Sequence, residues 1–475
     1  MDFTNFLIMR QETGLLVVFL ILFLYDLIAS GKARAWIYPL ACLLFAGQTA
    51  YGFFFSPVGE AFGGLYVCSP MTILMKNILN IATLIVFLQS YSWLHSNNVR
   101  HQRGEFFTII LVTLLGMYIM VSAGNFMMLY IGMETASLPL ACLAAFNKYK
   151  EQSAEAGVKY ILISAFSSGI LLFGLSFLYG AFGSLYFSDI TFNAGTDTLA
   201  ILGFVFFFGG LGFKLSLVPF HLWTADVYEG APTNVTAYLS VASKGAAAFA
   251  LIFTLYKAFG NIEVVWNAIL WWLSVITITL GNLFALRQTD IKRFFAFSSI
   301  SQAGYILLGI IAGNAQGMTA TVYYILVYIF SNLAVFGVIS AVENASGGKT
   351  SIAAFNGLYK SNPILSVIMM LAVFSLGGIP PFAGFFSKVF IFLAAASKGE
   401  YLLVFIALLN TVVSLFYYLL IVKAMFIKEA EPEAIGRFSI DNYNKIGMII
   451  CTLGILIVGI LSGFYQNIGV LSFGI

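Results

Sequence analysis

The chain has 475 residues, of which 60% are hydrophobic and 9% charged, with a formal net charge of +3. A soluble domain of this size would carry about 25% charged residues, so the composition places the chain in a bilayer, and the small net charge gives no basis for nucleic-acid binding. Its apolar runs are continuous rather than alternating, which excludes a membrane barrel and leaves crossing helices.

A window of about 20 residues predicts fourteen spans, near 13–30, 36–54, 71–94, 106–122, 124–146, 156–181, 199–222, 235–257, 264–286, 293–313, 318–342, 363–396, 401–427 and 446–471. The first has no basic start and no small-residue cleavage site, so it reads as a retained span rather than a signal peptide. The twelfth is too long for one straight helix and holds Gly377, Gly378, Pro380 and Pro381, which predicts a broken helix. The longest connections, 183–198, 343–362 and 428–445, are too short for a soluble domain. With the N-terminus outside, the inner loops hold 15 Lys and Arg residues against 2 outside, Arg10 and Lys398. The positive-inside rule therefore predicts both termini on the outer side.

The four cysteines, Cys42, Cys68, Cys142 and Cys451, are scattered without metal or redox spacing. The run GGLGFK (209–214) lacks the spacing of a phosphate-binding loop. The chain is expected to bind no nicotinamide, flavin, nucleotide or metal itself.

Lys214, Lys244, Lys388 and Glu134 lie inside apolar spans. A charge at the bilayer centre costs roughly 3 kcal/mol on insertion scales. Burial disfavours the charged form of lysine and a nearby carboxylate favours it. At about 4 Å and an effective dielectric near 20, that carboxylate contributes about 4 kcal/mol. Moving Glu134 relative to Lys214 would switch the lysine between holding and releasing a proton. The alternative is that these lysines snorkel or lock helices in fixed pairs. Snorkelling suits Lys76, Lys257 and Lys423, which lie near span ends, and suits Lys244 poorly.

His221 lies seven residues beyond Lys214. It reads equally as a proton relay or as a hydrogen-bonded interfacial histidine. Asp226 and Glu229 are expected to cap a loop at the inner surface. Ser240, Ser243, Thr236, Ser298, Ser299, Ser301 and Tyr305 could hold a water wire, although singly each suits helix packing. Two interrupted helices, each with a lysine, suggest a repeat. Five spans is an odd number, so consecutive units over spans 4–8 and 9–13 would be inverted. The expected division is 1–105 (three helices), 106–260 and 261–430 (the five-helix repeats) and 431–475 (a final helix).

The stretch GLGFKLSLVPFHLWTADVYEGAP (210–232) closely resembles the signature of the antiporter-like membrane subunits of respiratory complex I. GMETASLPL (132–140), SAEAGVKYILISA (153–165), NLFALRQTDIKRFFAFSSISQAGY (282–305) and SLGGIPPFAGFFSK (375–388) extend the likeness over about 120–425. Within that group the chain is similar to the subunit N branch of the bacterial NADH–quinone oxidoreductases. The resemblance implies an all-α polytopic fold with two inverted five-helix repeats, broken seventh and twelfth spans and a proton route. It assigns proton transfer to Glu134, Lys214, Lys244 and Lys388, and adds Lys159 as a sixth-span lysine.

It also implies NADH, FMN, iron–sulfur clusters and quinone in partner subunits, and membrane-arm and peripheral-arm subunits as partners in a bacterial inner membrane. A subunit of a multi-component sodium–proton antiporter and a mainly structural scaffold are the alternatives. The family has proline where this chain has Ala225 and arginine where it has Leu420. The first departure is expected to loosen the loop after the broken seventh span. The second weakens the case for an ion site near Lys423.

Overall fold

The computed structural model describes residues 3–54, 57–96, 99–190, 198–429, 436–461 and 463–472. Among these, thirteen helices are long and apolar enough to cross a membrane, and two shorter apolar helices accompany them. The main helices are α1 (Arg10–Ile28), α2 (Ile37–Phe54), α3 (Pro70–Gln89), α4 (Arg103–Val121), α5 (Phe126–Ala144), α6 (Glu151–Phe182), α7 (Thr198–Leu215) and α8 (Leu222–Gly230). They continue as α9 (Thr233–Lys257), α10 (Glu263–Ala285), α11 (Ile291–Ile311), α12 (Ala315–Ala345), α13 (Pro363–Gly377), α14 (Ala383–Ser397), α15 (Tyr401–Phe426) and α16 (Asn442–Ile460). A small antiparallel hairpin, β1 (Gly59–Ala61) and β2 (Tyr66–Cys68), joins α2 to α3.

The chain divides into two compact units. The first comprises Met1–Leu84, Asn97–Leu215 and Ala242–Trp266, and the second Ile85–Ser96, Ser216–Val241 and Asn267–Ile475. In the first unit α6 packs along α7 and α4 along α5. Glycine allows both approaches. A Cβ on Gly174 would meet the Phe207 backbone nitrogen at 2.4 Å, and one on Gly116 would meet that of Ala136 at 2.3 Å. Small residues let helices meet closely in lipid, where association depends on packing rather than on expelling water. Phe126 seals one end of this unit against Phe187, Phe207 and Phe259.

The second unit is built around α12, which is buried from Gly317 to Val342 and packs on α11, α13, α14 and α16. A helix apolar on all sides is a core helix, and α12 fits that description except for a polar strip described below.

The twelfth predicted run is broken as expected, α13 ending at Gly377 and α14 beginning at Ala383. Gly378 closes α13 in the left-handed region (φ 83°), a position glycine takes without steric cost. The seventh run also breaks. Its helix ends at Leu215, and Ser216 follows at φ 59°.

Two expectations change. The run 446–471 is helical only to Ile460, with a separate helix over Gly463–Ser472. Residues 222–230 form α8 rather than a loop, so Ala225 does not loosen a connection. Alanine is the strongest helix former, and here it sits buried in a helix. The expected loops 183–198 and 428–445 extend over 191–197 and 430–435, which lie outside the described residues.

Candidate functional site

Lys214 occupies the last turn of α7 and is buried. The close α6–α7 packing determines what it meets. Gly210, one turn earlier, leaves no room for a Cβ against Leu171, and its carbonyl accepts from the Ser167 hydroxyl at 2.9 Å. Lys214 Nζ therefore reaches the polar face of α6 and the neighbouring α5. It donates to Ser164 Oγ at 3.1 Å, to the Tyr160 hydroxyl at 3.5 Å and to Ser137 Oγ on α5. It also lies 5.4 Å from the Tyr160 ring centroid and 5.1 Å from that of Phe213. Such cation–π contacts help hold a desolvated ammonium.

Glu134 is half-buried on α5, three residues before Ser137. It forms no direct ion pair with Lys214 among the described residues. Its Oε1 accepts instead from Ser168, one helical turn beyond Ser164 on α6. The two charges are thus separated by hydroxyls. Ser137 shares the helix of Glu134, and Ser164 and Ser168 share one face of α6 at the i, i+4 spacing. Hydroxyls both donate and accept, so they can satisfy the ammonium on one side and the carboxylate on the other.

Lys244 is buried in the first unit, directly after the five-residue π-helical turn Leu239–Ser243. The segment Lys244–Lys257 packs on α4 and α7, so the Lys214 and Lys244 helices are neighbours. Lys159 differs in setting. Its side chain is 39% exposed and pairs with Glu155 at 2.6 Å, one turn back on α6. That is a surface helix pair, worth about 0.3–0.5 kcal/mol.

In the second unit Lys388 is buried on α14. Its Nζ donates to the carbonyl of Gly377, the last residue of α13, at 3.2 Å, and lies 5.1 Å from the Tyr305 ring centroid. Terminal helix carbonyls lack intrahelical donors and carry partial negative charge, so the break itself provides the partner for this ammonium. The close approach again needs glycine. A Cβ on Gly378 would lie 3.0 Å from Lys388 Cδ, and one on Gly384 would lie 1.7 Å from the Ser375 carbonyl oxygen.

A small void beside Lys388 is bordered by Gln302, Tyr324, Tyr328, Ser331, Ser375 and Ser387, together with the apolar Val327 and Leu376. Ser331 donates to Ser375 Oγ at 2.7 Å, and Asn332 donates to Ser240 Oγ at 2.7 Å and to the Tyr328 hydroxyl at 3.1 Å. Tyr324 donates to Gln302, whose Nε2 donates to the Tyr418 hydroxyl at 3.2 Å. Tyr418 and Ser298 share a further bond of 2.5 Å. Ser240, Ser298 and Tyr305 thus belong to, or border, a buried polar region made of three separate hydrogen-bonded groups. Its α12 members (Tyr324, Tyr328, Ser331 and Asn332) were not anticipated. The signal was present as a polar strip at helical spacing inside an otherwise apolar run.

His221 is buried at the start of α8. Because α7 ends at Leu215, helical spacing from Lys214 does not extend to it. Asp226 and Glu229 lie on α8 rather than capping a loop. Both accept from Arg293 Nη1 at 2.8 Å, while Lys292 donates to the Ala231 carbonyl at 2.7 Å. Lys76 overturns an expectation outright. It does not snorkel but is fully buried, with Glu12 at 2.6 Å.

Two broken helices, each with a buried lysine at or beside the break, characterise the site. The family described as NADH:quinone oxidoreductase/Mrp antiporter, transmembrane, matches residues 123–414. A protein of Azobacteroides pseudotrichonymphae named NADH-quinone oxidoreductase subunit N is 65% identical over 477 aligned residues, covering 100% of this chain and 99% of its own. One of the same name from Phocaeicola vulgatus is 55% identical, covering 98% of each. A chain in the structure of respiratory complex I from Thermus thermophilus superposes with TM-score 0.80 at 29% identity, covering 95% of this chain and 97% of that one. The chain belongs to the NADH-quinone oxidoreductase subunit N family.

Proposed function

We infer that this chain is a proton-translocating membrane subunit of an NADH–quinone oxidoreductase. Electrons pass from NADH to quinone in other subunits, which hold the FMN, iron–sulfur clusters and quinone site. The chain partners membrane-arm and peripheral-arm subunits in a bacterial inner membrane, with both termini on the outer side. Its organisation follows the division 1–105, 106–260, 261–430 and 431–475, with the two middle segments as inverted repeats.

The observation that carries the reading is the setting of Lys214, a buried ammonium held by the neutral hydroxyls of Ser164 and Tyr160, with Glu134 bonded to Ser168, one turn along the same face of α6. Bringing that carboxylate into direct contact at about 4 Å would favour the ammonium by up to roughly 4 kcal/mol at an effective dielectric near 20. Withdrawing it would release a proton to the next acceptor, Lys244 in the same unit. Lys388 forms a separate proton site whose partner is a helix end instead of a carboxylate. His221 and Lys159 are secondary participants.

Replacing Lys214 or Glu134 by alanine tests the reading in membranes containing the assembled complex. Proton pumping and NADH–quinone activity should fall together by roughly tenfold or more, as loss of a proton-transfer group implies. Wild-type pumping in both variants overturns the assignment.

A further inference from the structure

The first unit holds another ionisable cluster that the function above does not use. Lys76 Nζ on α3 donates to Glu12 Oε1 on α1 at 2.6 Å and to the Tyr66 hydroxyl on β2 at 2.7 Å. Tyr66 donates to Glu12 Oε2 at 2.8 Å, closing a ring of three groups. All three residues are buried. Lys76 Nζ also lies 5.6 Å from the ring centroid of Tyr118, whose hydroxyl donates to Asn80, one turn along α3. On α1, Gln11 Nε2 donates to Asn77 Oδ1 at 3.1 Å and to the Gly52 carbonyl at 3.2 Å. Two buried atoms of the cluster, Asn80 Nδ2 and Gln11 Oε1, have no hydrogen-bond partner among the described residues. Buried polar atoms are satisfied almost without exception, by protein or by bound water. A bound water would satisfy each of these atoms.

An ion pair is an inefficient way to hold two apolar helices and a hairpin together, because desolvating both charges offsets most of their attraction. The location of this one is informative. The hairpin that carries Tyr66 is tied to the α4–α5 connection through Val67 N–H to the Ser122 carbonyl and Gly124 N–H to the Leu65 carbonyl, both 2.8 Å. That connection is tied in turn to the segment after α6, through Phe126 N–H to the Leu185 carbonyl at 3.0 Å. The ring therefore joins the end cap of the helices that carry Glu134 and Ser164. Its Tyr118 side lies on α4, which packs against the Lys244 helix.

The geometry points to Glu12, Tyr66 and Lys76 as a further proton-transfer site of the first unit, at the end closed by the hairpin. An N–H bond of the Lys76 ammonium breaks as an O–H bond forms on Glu12 Oε1, leaving an amine and a carboxylic acid, both neutral. A proton arriving through the Tyr118–Asn80 side restores the ammonium. Loss of the carboxyl proton to water at the hairpin end restores the carboxylate, so each cycle moves one proton. The site extends the pumping route proposed above and rests on that reading.

The test uses the assembled complex in membranes, with the paired substitution Glu12→Gln/Lys76→Met, which removes both charges at near-constant volume, and separately Tyr66→Phe. Both should assemble, pump several-fold more slowly and show a displaced pH profile of pumping. Wild-type pumping and pH profile in the paired variant overturn the inference, since a structural pair can be replaced without loss. Failure of both variants to assemble overturns it equally, by identifying the ring as a lock. Lys214→Ala, measured alongside, separates the two claims. Loss of pumping there beside a wild-type paired variant removes only this site, whereas wild-type pumping in Lys214→Ala removes the underlying function.

Discussion

Lys214 donates to Ser137, three residues beyond Glu134 on the same helix, and not to Glu134 itself. The carboxylate accepts from Ser168. Lysine and carboxylate thus bond to different hydroxyls, Lys214 to Ser164 and Glu134 to Ser168 one turn further along α6.

If the hydroxyls carry the proton, Ser164→Ala and Ser168→Ala should act without altering charge. A hydrogen bond to a charged group is worth about 1.5–3 kcal/mol, so each variant is expected to slow pumping by roughly tenfold while the complex remains assembled. Pumping rates in membrane vesicles decide this. Unchanged rates in the Ser164→Ala/Ser168→Ala double variant would show that the hydroxyls only fill space.

The α6–α7 contact depends on glycine at particular positions. Gly174→Ala places a methyl 2.4 Å from the Phe207 backbone nitrogen, and backbone on both sides cannot yield, so overpacking should cost about 1–3 kcal/mol or more. Gly169, on the same helix, has nothing within 4 Å of an added Cβ. There alanine should be neutral or stabilise by about 0.5–1 kcal/mol. Thermal inactivation should come earlier for Gly174→Ala and no earlier than wild type for Gly169→Ala.

Gly378→Ala combines two penalties, a left-handed backbone at φ 83° and a contact of 3.0 Å with Lys388 Cδ. A strained left-handed residue costs roughly 1–2 kcal/mol, and the displaced Lys388 should lose its bond to the Gly377 carbonyl. The expected outcome is an assembled complex with several-fold slower pumping. Gly347→Ala, also left-handed at φ 70° but with open space around it, should retain wild-type pumping and lose only stability.

Arg293 holds two carboxylates of α8 at once. Arg293→Lys keeps the charge but not the planar fork. Because the pairs are about one-third exposed, the loss should stay near 1 kcal/mol. Arg293→Ala should lower the inactivation temperature further than lysine does, and Lys159→Ala, which breaks a surface pair, should hardly change it.

The sequence was most legible where lipid imposes the rule. Lys214, Lys244 and Lys388 stood out because each is a charge in a run that should have none, and the break near Lys388 was announced by Gly377, Gly378, Pro380 and Pro381. Lys76 was misread. Its position near a span end suits snorkelling, and nothing within the span reveals that Glu12 and Tyr66, 64 and 10 residues away, meet it inside the protein. The polar strip of α12 is inconspicuous in sequence for the same reason, since tyrosine and serine in an apolar helix are ordinary until a neighbouring helix presents Ser375 or Ser240.

By itself the sequence determined that the chain crosses a membrane many times, where its helices run and which charges are costly enough to require a task. These follow from the free energy of placing each residue in hydrocarbon, which depends on local composition alone. The tertiary structure decided the partners: hydroxyls for Lys214, a helix-end carbonyl for Lys388 and a buried carboxylate for Lys76. Partnership depends on which faces of distant helices meet, and glycine contacts over a few ångströms set those meetings.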